Sequence, residues 1–289
     1  MRYTFIVLFV VGLATGCKGT GDLKRPSQTI PRSMPPATPA PTPATAENTP
    51  QWKTVEEFAY AGGPALPPVH FKLELPEGYV DPGDFIRIHI QVKGHPDFVV
   101  DNEDGWVKTN NQDSPSKVYA NLDNKNLVDS KYVLIVPASR RKSDPPLVLL
   151  RSWAYASDAE GLHVIGFQKG GKPVVLLNEQ LDLRELADLD GDGNFEIAGW
   201  PCLSQEFGND LLTYDPLHVY KIPHPIIGPA ILSIPLSKNY NLQHYYGWAG
   251  PNCSEKLAVV RHPPGGGKPL IMNADAAAKL MEEGEKTKK

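Results

Sequence analysis

Cysteine is scarce in this chain, long apolar runs are missing and positive charge is not in excess; each shortage closes off a class of protein. The three cysteines, Cys17, Cys202 and Cys253, have no neighbouring Cys or His at zinc-binding spacing. The longest apolar run, Tyr3 to Ala14, covers about 12 residues, short of the roughly 20 that cross a bilayer as a helix. With 29 basic against 33 acidic residues the formal charge is −4, which argues against broad binding to nucleic acid or anionic lipid. No His-Glu-x-x-His and no Gly-x-Ser-x-Gly elbow occurs. "HPPGGGKP" at 262–269 lacks the leading glycine of a phosphate loop and has Pro269 where Ser or Thr belongs, so it reads as a connection. The eight histidines are dispersed, and His89, on the polar side of its segment, reads as merely exposed.

What is present begins at the N-terminus. "MRYTFIVLFVVGLATGC" has one basic residue, the short apolar run and then small residues before a cysteine, which is the build of a signal peptide. "ATGC" resembles the lipobox of bacterial lipoproteins, with Ala14 where a large aliphatic residue is usual. The resemblance implies cleavage after residue 16 and acylation of Cys17; ordinary secretion, with cleavage near Ala14 or Gly16, is the alternative. An exposed thiol directly behind a leader is a liability, whereas an acylated one is an anchor. Lys18 in place of an aspartate implies the outer membrane, facing the periplasm or the cell surface. Eight prolines between Pro26 and Pro50, among Thr, Ala and Ser, leave too little apolar surface to offset ordering. Residues 17–50 are therefore expected to be a lipidated cysteine plus a disordered tether, reaching on the order of 100 Å at full extension.

Residues 51–289 carry no second low-complexity linker and read as one domain. "VHFKLEL" and "IRIHIQVK" alternate apolar and polar residues, the period of half-buried strands, and "PEGYVDPGD" between them supplies turn chemistry. "YVLIV" and "LVLL" are continuously apolar, as expected of strands covered on both faces. "LHVIGF" and "PVVLL" flank "QKGGK" and predict a hairpin; "FEIAGW", "LHVYKI", "AILSI" and "LAVV" continue the strands. Helical period is clear only at the end, where Asn273 caps "ADAAAKLMEE" and Gly284 suits its stop. The expectation is a mainly β, antiparallel domain, sandwich-like or partly and irregularly propeller-like, with one short C-terminal helix. In an oxidising envelope the two remaining cysteines, Cys202 and Cys253, most simply pair; two free buried thiols are the alternative.

The densest chemical signal is "LADLDGDGNFEIAGW", residues 186–200. Asp188, Asp190 and Asp192 stand two apart, so their carboxylates can converge, and Gly191 and Gly193 permit the sharp path around an ion. Asn194 would add its carbonyl and Glu196 its carboxylate. An EF-hand needs a bidentate glutamate at position twelve and flanking helices; Gly199 and strands stand there instead. The stretch resembles the Asp-x-Asp-Gly-Asp-Gly-x-x-Asp/Glu loop of FG-GAP and VCBS-type repeats. That resemblance implies structural Ca²⁺ held by Asp188, Asp190, Asp192, the backbone of Asn194, and Glu196. "DNEDGW" and "NLDNKN" do not keep the spacing, so a single copy stands where a propeller needs several. An empty acidic turn and another metal are the alternatives.

"NYNLQHYYGWAGP" at 239–251 places Tyr240, Tyr245, Tyr246 and Trp248 near Cys253, either as a stacking platform for a sugar or peptide or as core packing. Trp153 and Trp200 read as packing. The leading expectation is a cell-envelope lipoprotein that binds or scaffolds through a calcium-stabilised β domain, with an unknown protein or glycan partner. A hydrolase with dispersed catalytic residues is the alternative, and it requires a pocket of convergent ionisable groups.

Overall fold

The computed structural model describes residues 50–80, 83–109, 126–153, 159–208, 210–244 and 247–287. The chain from Thr49 onward forms one compact unit, built from antiparallel strands and two helices among the described residues. None of these helices is long and apolar enough to cross a membrane.

The alternating segments become neighbours as expected. β2 (Val69–Pro76) pairs antiparallel with β3 (Phe85–Val92), with Phe71 opposite Ile90 and Leu73 opposite Ile88 on the buried side. They belong to a large sheet that runs from β1 (Trp52–Tyr60) through β2, β3 and β4 (Phe98–Val107) to β6 (Leu147–Ser152), β7 (Gly161–Phe167) and β8 (Pro173–Gln180). β5 (Leu134–Val136) pairs with β6 at one side. The β7–β8 hairpin turns at Gly170 and Gly171, both at φ near +90°, where a side chain would be strained.

Both continuously apolar runs lie between two cores. Val148, Leu150, Ile165 and Trp106 share one cluster with Phe71, Leu73 and Ile88, which requires the sheet to fold over on one of its own faces. Leu147, Leu149, Leu162 and Val164 point the other way, onto a second sheet. That sheet is ordered β14 (Ile231–Leu232), β13 (His218–Lys221), β10 (Glu196–Trp200), β9 (Asp182–Ala187). A third sheet contains β11 (Glu206–Gly208), β12 (Leu211–Tyr214), β15 (Ser254–Val260) and β16 (Leu270–Asn273). Cys202 and Cys253 form a disulfide, Cα–Cα 6.7 Å, that ties the end of β10 to the start of β15.

Two expectations need correction. "AILSI" supplies the expected strand, β14, but a second helix, α1 (Ile234–His244), follows it at once and takes in the first half of the aromatic stretch. It has no apolar stripe to announce it, because the face it buries is polar. Ser237 Oγ accepts from Val219 N at 2.9 Å, while Asn241 accepts from Leu217 N at 3.0 Å and donates to its carbonyl at 2.8 Å. The C-terminal helix, α2 (Ala274–Thr287), begins as expected, with Asp275 N donating to Asn273 Oδ1 at 2.9 Å. It does not stop at Gly284. That glycine lies against Pro264, whose Cγ would stand 2.5 Å from an added Cβ, so close packing and not chain reversal explains it.

Candidate metal centre

The acidic stretch is the turn of the β9–β10 hairpin, where Ala187 pairs with Glu196 and the loop bulges between them. Gly191 at φ +82° and Gly193 at φ +89° take the left-handed conformation that the spacing requires. The aspartates build the loop from inside. Gly191 N donates to Asp188 Oδ1 at 2.8 Å, Asp192 N to Asp190 Oδ1 at 3.2 Å, and Asn194 N to Asp192 Oδ1 at 2.8 Å. Glu196, the first residue of β10, reaches back so that Leu189 N donates to its Oε2 at 2.8 Å.

Carboxylate oxygens of Asp188, Asp190 and Glu196 all lie within 4.8 Å of one another. That is the greatest separation of two oxygens each about 2.4 Å from one calcium ion. Asp192 stands outside this trio: its carboxylate caps Asn194 N and faces Lys221, and these contacts hold its pKa below the usual range. Near Asn194, the bridge to Ser139 uses Gly193 C=O and Phe195 N–H, at 3.0 Å each, and not Asn194's own carbonyl.

Three basic residues that no local pattern marks converge on the loop. Arg140 Nε lies 3.0 Å from Asp188 Oδ2, Arg141 donates to Asn194 Oδ1, and Lys221, on the neighbouring strand β13, pairs with Asp190. They offset part of the carboxylate repulsion that the sequence alone assigns to a divalent ion. None of them hydrogen-bonds or pairs with Glu196 among the described residues, and only the charge of Lys221 acts on it from a distance. Glu196 is 0 % exposed, and its Oε1 has no hydrogen-bond partner among the described residues. Burial raises its pKa, with Asp190 and Asp192 adding to the rise and the Leu189 N–H and, more weakly, the charge of Lys221 opposing it. An orphaned buried acceptor costs about 1–3 kcal/mol, more when charged. A hard cation shared with Asp188 and Asp190 is the partner that oxygen donors of this kind accept, so the residues fit calcium.

Beside the loop opens a cleft of about 500 Å³, walled by Ala138, Pro145, Phe167, Asn194, His224 and Ile226. Ser139 Oγ donates to Asp144 Oδ2 at 2.6 Å, and His224 Nδ1 stands 3.9 Å from the same atom. Burial would raise the Asp144 pKa, but the bonds from Ser139 and Arg141 outweigh it and hold the group low. The order is wrong for a nucleophile relay, which needs the imidazole between hydroxyl and carboxylate.

The other predicted residues divide. Tyr240 packs beside Ala198, Leu217 and Val219 and donates to Glu185 Oε2 at 2.5 Å, and Trp248 is half-buried. Tyr245, Tyr246 and Cys17 lie outside the described residues. Trp153 is exposed, contrary to the packing reading. His89, expected to be merely exposed, engages Glu74 Oε2 at 2.9 Å and Asp97 Oδ2 at 2.7 Å through its two ring nitrogens. No protein-family model, curated protein or solved structure matches the chain.

Proposed function

We propose that this chain is a bacterial cell-envelope lipoprotein, anchored through acylated Cys17 to the outer membrane, whose folded part is a binding or scaffolding module stabilised by Ca²⁺. Asp188, Asp190 and Glu196 hold the ion, with Asp192 and the Asn194 carbonyl as the further donors that the FG-GAP and VCBS resemblance implies. The proline-rich stretch spaces the module from the bilayer. The observation that carries the calcium reading is the unpartnered, fully buried Oε1 of Glu196 at the point where two other carboxylates meet it. The role is structural: an ion there closes the β9–β10 turn, whose Asn194 also walls the adjoining cleft.

Isothermal titration with CaCl₂ tests the ion. Saturable heat at millimolar concentration or below supports the proposal, and its absence ends it. The anchor is tested separately by the mass of the mature N-terminal peptide and by release of Cys17→Ser from the membrane fraction. A wild-type peptide without acyl chains refutes the lipoprotein assignment.

A further inference from the structure

A second cleft, of about 480 Å³, lies where the folded-over face of the large sheet changes from apolar to polar. Along β7, Ile165 belongs to the core, and at His163 the row turns hydrophilic: His163 stands opposite Asn178 of β8, and Gly161 opposite Gln180. Ser152 of β6 lies over Gly161, where any Cβ would overlap its hydroxyl, so the glycine makes room for that side chain. Asn102 and Asp104 of β4 close one side, and Pro201 contributes an apolar surface.

His163 is the unusual member. It is 6 % exposed, lines the cleft, and forms no hydrogen bond among the described residues. Its ring rests edge-on against Trp106, centroids 5.3 Å apart and planes at 81°. Burial drives its pKa down to about 4, against a weaker opposing pull from Asp104. At neutral pH it therefore presents one donor nitrogen and one acceptor nitrogen, neither of them hydrogen-bonded among the described residues. Its nitrogens are not among the buried orphaned atoms and open onto the cleft, where a ligand's hydrogen-bonding groups can take the place of water.

The lining narrows the ligand's chemistry. Among the described residues no lysine or arginine lines the cleft, and Asp104 and Glu179 do, which disfavours phosphates and carboxylates. A metal is also disfavoured: among the described residues the acidic group that converges is Asp188, Asp190 and Glu196, not the cleft's own His and carboxylates. An amine needs acceptors only, yet Ser152, Asn178, Gln180 and His163 all bring donors as well. A hydroxyl both donates and accepts, so a ligand carrying several of them matches this mixed set, with its C–H face against Pro201. We propose that this cleft is a carbohydrate-binding site, holding one sugar ring of a glycan through Ser152, His163, Asn178 and Gln180. The inference specifies a ligand for the proposed binding module and owes nothing to the calcium part of that proposal.

The test uses the full chain, titrated calorimetrically with tetrasaccharides of glucose, mannose, galactose and N-acetylglucosamine, and with spermidine and inorganic phosphate. At least one saccharide is expected to bind and to shift the His163 ring resonances. In Asn178→Ala/Gln180→Ala, where both altered side chains are exposed, its affinity should fall about tenfold or more. His163→Phe keeps the ring against Trp106 and should lose affinity while retaining its melting temperature. Binding that persists in EDTA separates this site from the calcium loop. The proposal is overturned if none of the saccharides binds at about 10 mM, if the variants bind unchanged, or if spermidine or phosphate shifts His163 and the saccharides do not.

Discussion

Replacing Glu196 with glutamine removes one charge and little else. The amide oxygen can still accept from Leu189 N, now at 2.8 Å, and the side chain keeps its volume in a site with no exposure. In the calcium-free protein the change should therefore be neutral or stabilising, because it takes away an ionised group whose Oε1 lacks a partner. That orphan costs about 1–3 kcal/mol. With calcium the sign reverses. An ion present at about 100 times its dissociation constant stabilises the wild type by about 2.7 kcal/mol, which for a folded part of this size raises Tm by about 5–10 °C. Glu196→Gln should lose most of that rise. Calorimetry of both proteins, stripped with EDTA and then reloaded, reads all four values. Equal calcium-induced rises in the two proteins would refute the assignment of Glu196, and no rise in the wild type would refute the site. A variant that melts lower than wild type even in EDTA would show that the charge was already satisfied without an ion.

Lys221→Met should separate the protein's own cations from calcium: losing the partly exposed pair with Asp190 lowers the EDTA-state Tm by about 1–3 °C, while calcium affinity rises several-fold because a competing charge has gone. Weaker calcium binding, measured by titration, would contradict it. Asp182 predicts a pH effect. Burial, then the negative charge of Glu160, raises its pKa from 3.8 to about 6 despite Arg151 and Arg184. The folded state thus binds this proton more tightly than the unfolded one, and the aspartate's penalty grows as pH rises from about 4 through 6. Asp182→Asn should accordingly gain about 1–3 kcal/mol over wild type at pH 8 relative to pH 4 in urea unfolding; a difference independent of pH would refute the shift. Cys202→Ala/Cys253→Ala opens a bond between cysteines 51 residues apart and should cost about 2–4 kcal/mol in the same assay, with an unchanged midpoint as the contrary result.

These perturbations also mark what local pattern can and cannot encode. Alternation exposed β2 and β3 because each buries one face, and continuous apolarity exposed β5 and β6 because two cores cover them. β1 escaped notice: its residues are half-buried or exposed, and its register shifts between Thr54 and Glu56, so the period breaks. "DNEDGW", which does not keep ligand spacing, is the second half of β4. Its Gly105 lies so near Gly83 that a Cβ added at Gly83 would fall 2.6 Å from the Gly105 Cα, a packing reason for the glycine that ligand spacing could not reveal. α1 was hidden because its docking face is polar, and helical period is sought among apolar residues.

The candidate metal site divides along the same line. The two-residue spacing and the glycines are local, and the turn they form brings together carboxylates of Asp188, Asp190 and Glu196. Which carboxylates meet depends on tertiary placement. Asp192 stands outside the cluster, its carboxylate accepting from Asn194 N and lying 3.4 Å from Lys221, which β13 places opposite Glu196. Asp188 acquires a guanidinium because the segment after Ala138 bridges to Asn194 and carries Arg140 with it. The isolation of Glu196 is likewise a product of the fold: heading a strand between two others, it is stripped of water and its Oε1 has no replacement among the described residues. The linear motif proposes ligands as equals, whereas the fold ranks them. If the ranking holds, Asp192→Asn should weaken calcium binding far less than Glu196→Gln, although the two residues are interchangeable members of the linear pattern. Titration of the two variants giving equal losses would mean that the loop closes around its ion by spacing alone.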